Sequence, residues 1–278
     1  MSAPLIAITG ATGNVGRSVA ELLAAQGSIP RLVVRDPARA PEGFDDIASA
    51  SYGDFEAARA AFEGVEVLFL VSAAESADRL QQHRTVIDAA AAAGVRLVVY
   101  TSFLGAAPDA TFTLARDHWA TEEHLRASGM AWTNLRDSFY LDFLPALAGD
   151  DGVIRGPAGD GRVGAVARAD VARCAAAVLL APERHEGATY QLTGPEALTL
   201  GEAAAVITDV TGQETTFHDE TVEEAYASRA HHGVPGWQLD AWVSTYTAIA
   251  AGELAAVTDD VRTLSGREPL HLAQFLQA

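Results

Sequence analysis

The stretch Ile8–Gly27, "ITGATGNVGRSVAELLAAQG", decides the reading of the fold. Its glycines Gly10, Gly13 and Gly16 stand between a short apolar run and a helical, alanine- and leucine-rich one. Where side chains are missing at such a junction, the chain can turn tightly, bring bare backbone up to a ligand and pack the following helix closely. The amino end of that helix then offers unpaired N–H groups and a partial positive charge, which suit a pyrophosphate. Strand, glycine turn and helix together predict the opening unit of a dinucleotide-binding domain. Gly10, Thr12, Gly13, Asn14, Val15 and Gly16 are its candidate cofactor-binding residues.

Outward from this motif the first half of the chain repeats one rhythm. Strands are predicted near Leu5 to Thr9, Arg31 to Val34, Ser49 to Tyr52, Val65 to Val71, Arg96 to Tyr100 and Ala131 to Leu135. Helices are predicted over Val15 to Ala25, Phe55 to Phe62, Ala77 to Ala93 and Thr113 to Ala127. Alternation of this kind predicts an α/β fold, a Rossmann-type doubly wound parallel sheet, because right-handed crossovers need helices on both faces. After Arg136 aromatics gather in "SFYLDFL" and turn signals follow at "GDDG" and "GDG". A helix from Asp170 to Leu180 and a strand from Ala188 to Leu192 then suggest a return to the sheet. Beyond Thr193 the pattern is mostly helical, opened by a capping box, Thr199-Leu-Gly-Glu202. The expected division is a dinucleotide-binding domain over residues 1–150 and a smaller, mostly helical substrate lobe over 151–278, with about 162–193 rejoining the sheet.

Composition narrows the chemistry. The chain has 278 residues, 49% hydrophobic and 20% charged, and a formal charge of −18, which opposes nucleic-acid binding since that requires a basic face. A local cationic site can still hold an anionic ligand, because screening acts over about 8 Å at physiological salt. No apolar run reaches the roughly 18 residues of a membrane span, and no signal-peptide pattern opens the chain, so a cytoplasmic address is expected. The single cysteine, Cys174, lies in an apolar run and reads as a buried, inert thiol. All 19 basic residues counted under Lys+Arg are arginine. With no lysine, Schiff-base chemistry, a P-loop lysine and a Tyr/Lys catalytic pair are all excluded. His231-His232 lacks partners at ligand spacing, and no metal site is expected.

The end of the second strand bears on which dinucleotide binds. A carboxylate there suits the ribose 2′-hydroxyl of NAD, whereas an arginine suits the 2′-phosphate of NADP. "RLVVRDPAR" supplies Arg35, with Arg39 just beyond it, and favours NADPH; Asp36 keeps NADH open as the alternative. Asp54 is placed to cap the next helix or to accept from adenine. Val71 and Ser72 are expected along the cofactor backbone. Thr101 and Ser102 are expected beside nicotinamide or substrate, or bonded to local backbone.

The motifs "GATGNVG", "VVRDPAR", "YGDFEA", "YTSFLGA", "HWATEEHLRASGMAWTNLRDSFY", "ARADVA" and "YQLTGPEALT" together resemble the NmrA-like atypical short-chain dehydrogenase/reductases, in particular the quinone-oxidoreductase and triphenylmethane-reductase type. The resemblance spans nearly the whole chain and implies a Rossmann fold with NADPH along the strand ends. In related catalytic reductases a tyrosine protonates the new alkoxide while a lysine four residues later holds the nicotinamide ribose. Those places hold Leu114 and His118 here. His118 shares a helical face with Glu122 and Leu125, whereas Arg116 points elsewhere. Two roles follow for His118, proton donor to the product through water or holder of the cofactor ribose, and a packed histidine is the bland alternative.

Lacking the tyrosine costs about 10² to 10⁴ in rate for a simple ketone. A quinone, which spreads the arriving charge, or a cationic conjugated acceptor suffers less. For these, catalysis reduces mainly to holding a flat acceptor over the nicotinamide. Phe103, Phe139, Tyr140 and Phe143 flank predicted strand ends, and with Trp237 and Trp242 they are the candidate substrate wall, although aromatics at such spacing are more often core. Tyr140 is also a catalytic candidate, since its place after the sixth strand resembles the family loop near the nicotinamide. The expected partner is a small molecule, and a homo-oligomer is compatible with the sequence. The readings weighed are an NADPH-dependent quinone reductase and a non-catalytic, redox-sensing NADP-binding regulator. A nucleotide-sugar epimerase or ordinary alcohol dehydrogenase is disfavoured by the missing tyrosine and lysine.

Overall fold

The computed structural model describes residues 5–277. The chain runs β1 (Ile6–Thr9), α1 (Asn14–Ala25), β2 (Arg31–Val34), β3 (Ile47–Ser49), α2 (Phe55–Ala61), β4 (Val67–Leu70), α3 (Arg79–Ala92), β5 (Leu97–Phe103), α4 (Thr113–Ala127) and β6 (Ala131–Asp137). It continues through β7 (Val153–Gly156), β8 (Arg162–Val163), α5 (Arg168–Leu180), β9 (Thr189–Leu192), β10 (Leu198–Thr199), α6 (Leu200–Thr211) and β11 (Thr216–Asp219). Four helices close the described chain: α7 (Val222–Arg229), α8 (Gly236–Ala250), α9 (Asp260–Ser265) and α10 (Leu272–Phe275).

A seven-stranded sheet in the order β3-β2-β1-β4-β5-β6-β9 carries the first half. Parallel registers tie β1 to β2 (Ala7 opposite Arg31) and β1 to β4 (Ile6 opposite Val67). The strand order reverses at β1, since the chain leaves it toward β2 and β3 and later returns on its other side with β4. Crevices at such a switch point, beyond the carboxyl ends of the strands, receive ligands in open α/β sheets. The central strands β1 and β4 are buried on both faces throughout their lengths, which explains their continuous apolar runs.

By its contacts the chain forms two compact units that interleave along the sequence. The first comprises the chain through Ser102, Asp117–Arg136 and Val171–Tyr190; the second comprises Phe103–Arg116, Asp137–Asp170 and the residues from Gln191 onward. The chain changes unit at the ends of β5 and β6, as well as within α4, α5 and β9. The first unit packs Phe62, Leu68, Leu70, Ile87, Val98, Tyr100 and Leu125 into one core. In the second, Leu144, Ile154, Ala203, Ile207 and Ile249 form another, beside the parallel pair β7–β11 and the antiparallel pair β8–β10. The predicted capping box is present, Thr199 Oγ1 accepting from Glu202 N–H and Glu202 accepting from Thr199 N–H.

The third strand departs from expectation, pairing over Ile47–Ser49 rather than Ser49 to Tyr52. Tyr52 leaves the ladder because its hydroxyl reaches the β1 and β4 ends, 2.5 Å from Thr9 Oγ1 and 2.6 Å from the Val71 carbonyl. β5 is longer than predicted and contains Thr101 and Ser102, which therefore lie in the strand and not after it.

Candidate active site

The glycine loop is shaped by backbone contacts that only glycine allows. Gly10 takes φ +64° and lies so near Val71 that a Cβ there would stand 3.0 Å from the valine's Cβ. Gly13 N–H donates to the Gly10 carbonyl at 2.9 Å, closing the turn. At Gly16 a Cβ would sit 2.4 Å from that same carbonyl oxygen, so α1 packs directly on the turn. Gly13 is the N-cap of α1 and has no side chain to satisfy the first-turn N–H groups. Gly13 and Asn14 are exposed, Thr12 is partly so, and Val15 and Gly16 are buried beneath them. Bare amides, an open surface and the positive end of a twelve-residue helix fit a pyrophosphate.

Beside this loop the chain after β4 is pinned by side chains. Val71 N–H donates to Thr9 Oγ1 at 3.0 Å, and Ser72 N–H to Thr101 Oγ1 at 2.7 Å. Ala73 N–H donates to His83 Nε2 at 2.8 Å, and the Ala73 carbonyl accepts from Arg79 Nε at 2.9 Å. Val71 and Ser72 are thus fixed by side-chain hydrogen bonds just after β4. Thr101 contributes by holding Ser72. Ser102 donates instead to Glu122 Oε1 at 2.6 Å, so its hydroxyl is engaged within the fold. Glu122, fully buried, accepts two bonds from Arg136 at 2.8 and 2.7 Å and one from Arg126 at 3.0 Å.

At the end of β2, Arg35 is exposed. Asp36 uses its carboxylate to cap the turn Pro37–Arg39, Oδ1 accepting from Ala38 N–H at 3.1 Å. Asp54 caps α2 through Ala57 N–H at 3.0 Å, the first of its two expected uses.

His118 is buried at 5% exposure, within a hydrogen-bond network. Arg79, itself buried, donates from Nη2 to His118 Nε2 at 2.8 Å. The imidazole proton therefore resides on Nδ1, facing Tyr100 Oη at 2.9 Å. By the same logic His83, accepting at Nε2, carries its proton on Nδ1 and donates to Thr121 Oγ1 at 2.9 Å. Burial, with the Arg79 charge second, holds both imidazoles well below the usual histidine range. Both ring nitrogens of His118 are thus engaged within the fold, by Arg79 and by Tyr100. The missed residue is Arg79. Its signal was present: a cation in the first turn of a helix opposes the helix dipole and needs another partner.

In the second unit, Phe139, Tyr140 and Phe143 form one ring cluster, with centroids 5.7 Å apart for Phe139–Phe143 and 5.9 Å for Tyr140–Phe143. The Arg168 guanidinium lies 4.3 Å from the Phe143 ring centre and 5.0 Å from that of Tyr140. Phe143 remains 42% exposed, unlike a core residue. Tyr140 Oη donates to Asp137 Oδ2 at 2.8 Å. Phe103 packs on Phe112 at 4.9 Å, and Trp242 stands edge-on to His232 at 5.5 Å. Trp237 is half-buried at the start of α8. Among the described residues no helix is long and apolar enough to cross a membrane.

Comparison with known proteins bears on the glycine loop and the sheet together. A family model described as NAD(P)H-binding matches residues 10–182. Quinone oxidoreductase 2 of Escherichia coli is 38% identical over 270 residues, covering 94% of this chain and 92% of that protein. The crystal structure of an NADPH-dependent quinone oxidoreductase from Escherichia coli, complexed with NADPH, superposes with a TM-score of 0.89 at 36% identity, covering 98% of this chain and 99% of that one. Citrobacter triphenylmethane reductase complexed with NADP(H) gives 0.87 at 31% identity, covering 98% and 99% of the two chains. With its glycine turn on an uncapped helix at the switch point of a parallel sheet, this chain belongs to the NAD(P)H-binding, NmrA-like family of reductases.

Proposed function

We propose that this protein is an NADPH-dependent reductase that transfers hydride to a quinone or similarly conjugated small molecule. One observation carries the reading: the chain joins a nucleotide crevice of bare amides to a helix α4 on which neither Leu114 nor neutral His118 can act as an acid. Such a site favours acceptors that delocalise or neutralise the incoming charge and disfavours simple ketones. The relatives' activities toward quinones and triphenylmethane dyes support the same class.

The loop Gly10–Gly16 and the amino end of α1 would hold the pyrophosphate, and Arg35 the 2′-phosphate. When bound, the dihydronicotinamide supplies the hydride. Val71, Ser72 and Thr101 form the rigid ledge against which it is oriented, so that little freedom is lost at the moment of reaction. Arg79, His118 and Tyr100 support that ledge from beneath as positioning residues. The ring cluster at Tyr140, with Phe103, Trp237 and Trp242, is the substrate wall of this proposal. The test is NADPH oxidation by purified protein with a panel of quinones, a cationic triarylmethane dye and simple ketones. Acceleration by the first two classes alone is expected; a panel that leaves NADPH untouched removes the reductase reading.

A further inference from the structure

Just beyond β4, side chains from five residues hold the backbone of three. Val71, Ser72 and Ala73 donate their N–H groups in turn to Thr9 Oγ1, Thr101 Oγ1 and His83 Nε2, while the Val71 and Ala73 carbonyls accept from Tyr52 Oη and Arg79 Nε. All of these residues belong to the first compact unit. Val71, Ser72 and Ala73 are partly exposed, so in an ordinary surface loop water would satisfy such groups. A segment tied instead to β1, β5, α3 and the turn after β3 is held to one position. It abuts the glycine turn, since a Cβ on Gly10 would stand 3.0 Å from that of Val71.

The tie at Ala73 has a direction built into it. His83, on α3, is fully buried, with the Tyr100 ring edge-on at 5.7 Å and the Tyr52 ring at 6.5 Å. Its Nε2 accepts from Ala73 N–H at 2.8 Å, and its Nδ1 faces Thr121 Oγ1 at 2.9 Å. Thr121 gives its own hydroxyl proton to the Asp117 carbonyl at 2.7 Å, so its oxygen receives the imidazole proton. Every link has one donor and one acceptor only while the ring is neutral and carries its proton on Nδ1. The other tautomer would set one N–H against another at Ala73. Burial, with the Arg79 charge second, favours the neutral ring.

We propose that His83 is a positioning residue for the dinucleotide: through the relay Ala73–His83–Thr121–Asp117 it fixes the segment Val71–Ala73 against the glycine turn, and nucleotide affinity depends on that relay. This deepens the reading above and rests on its placement of the dinucleotide at Gly10–Gly16. Without an acceptor at Nε2 the Ala73 amide turns to water and the segment gains other positions. Affinity then falls with the fraction of molecules that keep the competent one. Arg79 still holds the carbonyl of Ala73, so losing His83 loosens the segment without releasing it. Glutamine can copy both bonds of the ring, its carbonyl oxygen accepting and its amide donating, whereas leucine fills the space and makes neither. Thr121→Val keeps the shape and removes the acceptor that fixes the tautomer.

The test is the NADPH dissociation constant, by fluorescence titration, for wild type, His83→Leu, His83→Gln and Thr121→Val, with thermal unfolding of each ligand-free protein beside it. His83→Leu should bind about ten-fold more weakly, the worth of one neutral hydrogen bond, Thr121→Val about three-fold, and His83→Gln should return to within about two-fold of wild type. Nitrogen NMR of the wild-type imidazoles should find the His83 proton on Nδ1, with and without NADPH. A ring that serves stability alone would lower the melting temperature of His83→Leu and leave its NADPH affinity unchanged. That result, a His83→Gln as weak as His83→Leu, or a proton on Nε2 overturns the proposal. Wild-type protein that binds NADPH yet reduces no quinone overturns the reductase reading alone, because the affinities still decide the role of His83. Should His83→Leu fail to fold, Thr121→Val and the NMR decide the matter.

Discussion

Alanine at Gly13 and at Gly16 should separate two jobs that the glycine loop performs at once. A methyl on Gly16 would lie 2.4 Å from the Gly10 carbonyl oxygen, 2.6 Å from its carbon and 3.0 Å from Ala11 N. The shortest of these is about 1 Å inside ordinary contact, and every atom in the way is backbone. Gly16→Ala must therefore shift α1 or open the Gly10–Gly13 turn, an overpacking worth about 1–3 kcal/mol of stability. A methyl on Gly13 meets only the Gly10 oxygen, at 3.4 Å, and Gly13 has φ −97° and ψ 173°, which any residue adopts. Stability of Gly13→Ala should stay within about 1 kcal/mol of wild type, the gain from a stiffer unfolded chain offsetting the poorer N-cap. Its methyl projects where a pyrophosphate would rest on the amides. Losing one charge-assisted hydrogen bond of about 1.5–3 kcal/mol weakens NADPH binding roughly ten- to hundred-fold. Thermal unfolding of each variant, with and without NADPH, and a fluorescence titration read both effects. Ligand should raise the wild-type melting temperature more than that of Gly13→Ala at the same concentration. Wild-type affinity in Gly13→Ala would refute the placement of the pyrophosphate on this turn; wild-type stability in Gly16→Ala would refute the packing argument.

Arg35→Ala should remove most of any preference for NADPH over NADH while leaving stability within about 0.5 kcal/mol, because the side chain is exposed; equal affinities in the wild type would remove the NADP assignment. For His83 and His118 the folded values lie below the unfolded one, so the unfolded chain binds more protons as pH falls below about 6.5. Stability they contribute at neutral pH should be lost on acidification, at about 1.4 kcal/mol per pH unit for each ring until the folded value is reached. His118→Gln should flatten that slope in denaturant titrations between pH 7 and about 5, and an unaltered slope would show that the ring is not held neutral. Arg136→Met should destabilise the first unit toward the lower end of about 3–5 kcal/mol, since it strips two hydrogen bonds from buried Glu122 while Arg126 keeps its own; a loss below 1 kcal/mol by urea unfolding contradicts this.

The amino-acid sequence by itself determined the nucleotide crevice and the sheet around it. Both rest on short-range rules: the glycines of "GATGNVG" fix a turn within seven residues, and hydrophobic period and length separate strand from helix. Helix α4 was legible to the residue, as were β2 and the Thr199–Glu202 cap, because each is dictated by neighbours a few positions away. Absence of lysine was likewise visible at once and removed a whole class of mechanisms. What only the tertiary structure decided is the state of the polar groups. His118 reads as an ordinary imidazole until Arg79, 39 positions earlier, and Tyr100 are brought onto its two nitrogens. Asp137 went unread in the sequence; burial strips it of water and leaves Tyr140 as its side-chain partner. Protonation depends on desolvation and on charges a few ångströms away, and neither follows from spacing along the chain. The interleaving of the two units escaped the sequence for the same reason, since contacts far apart in sequence set where one core ends and the other begins.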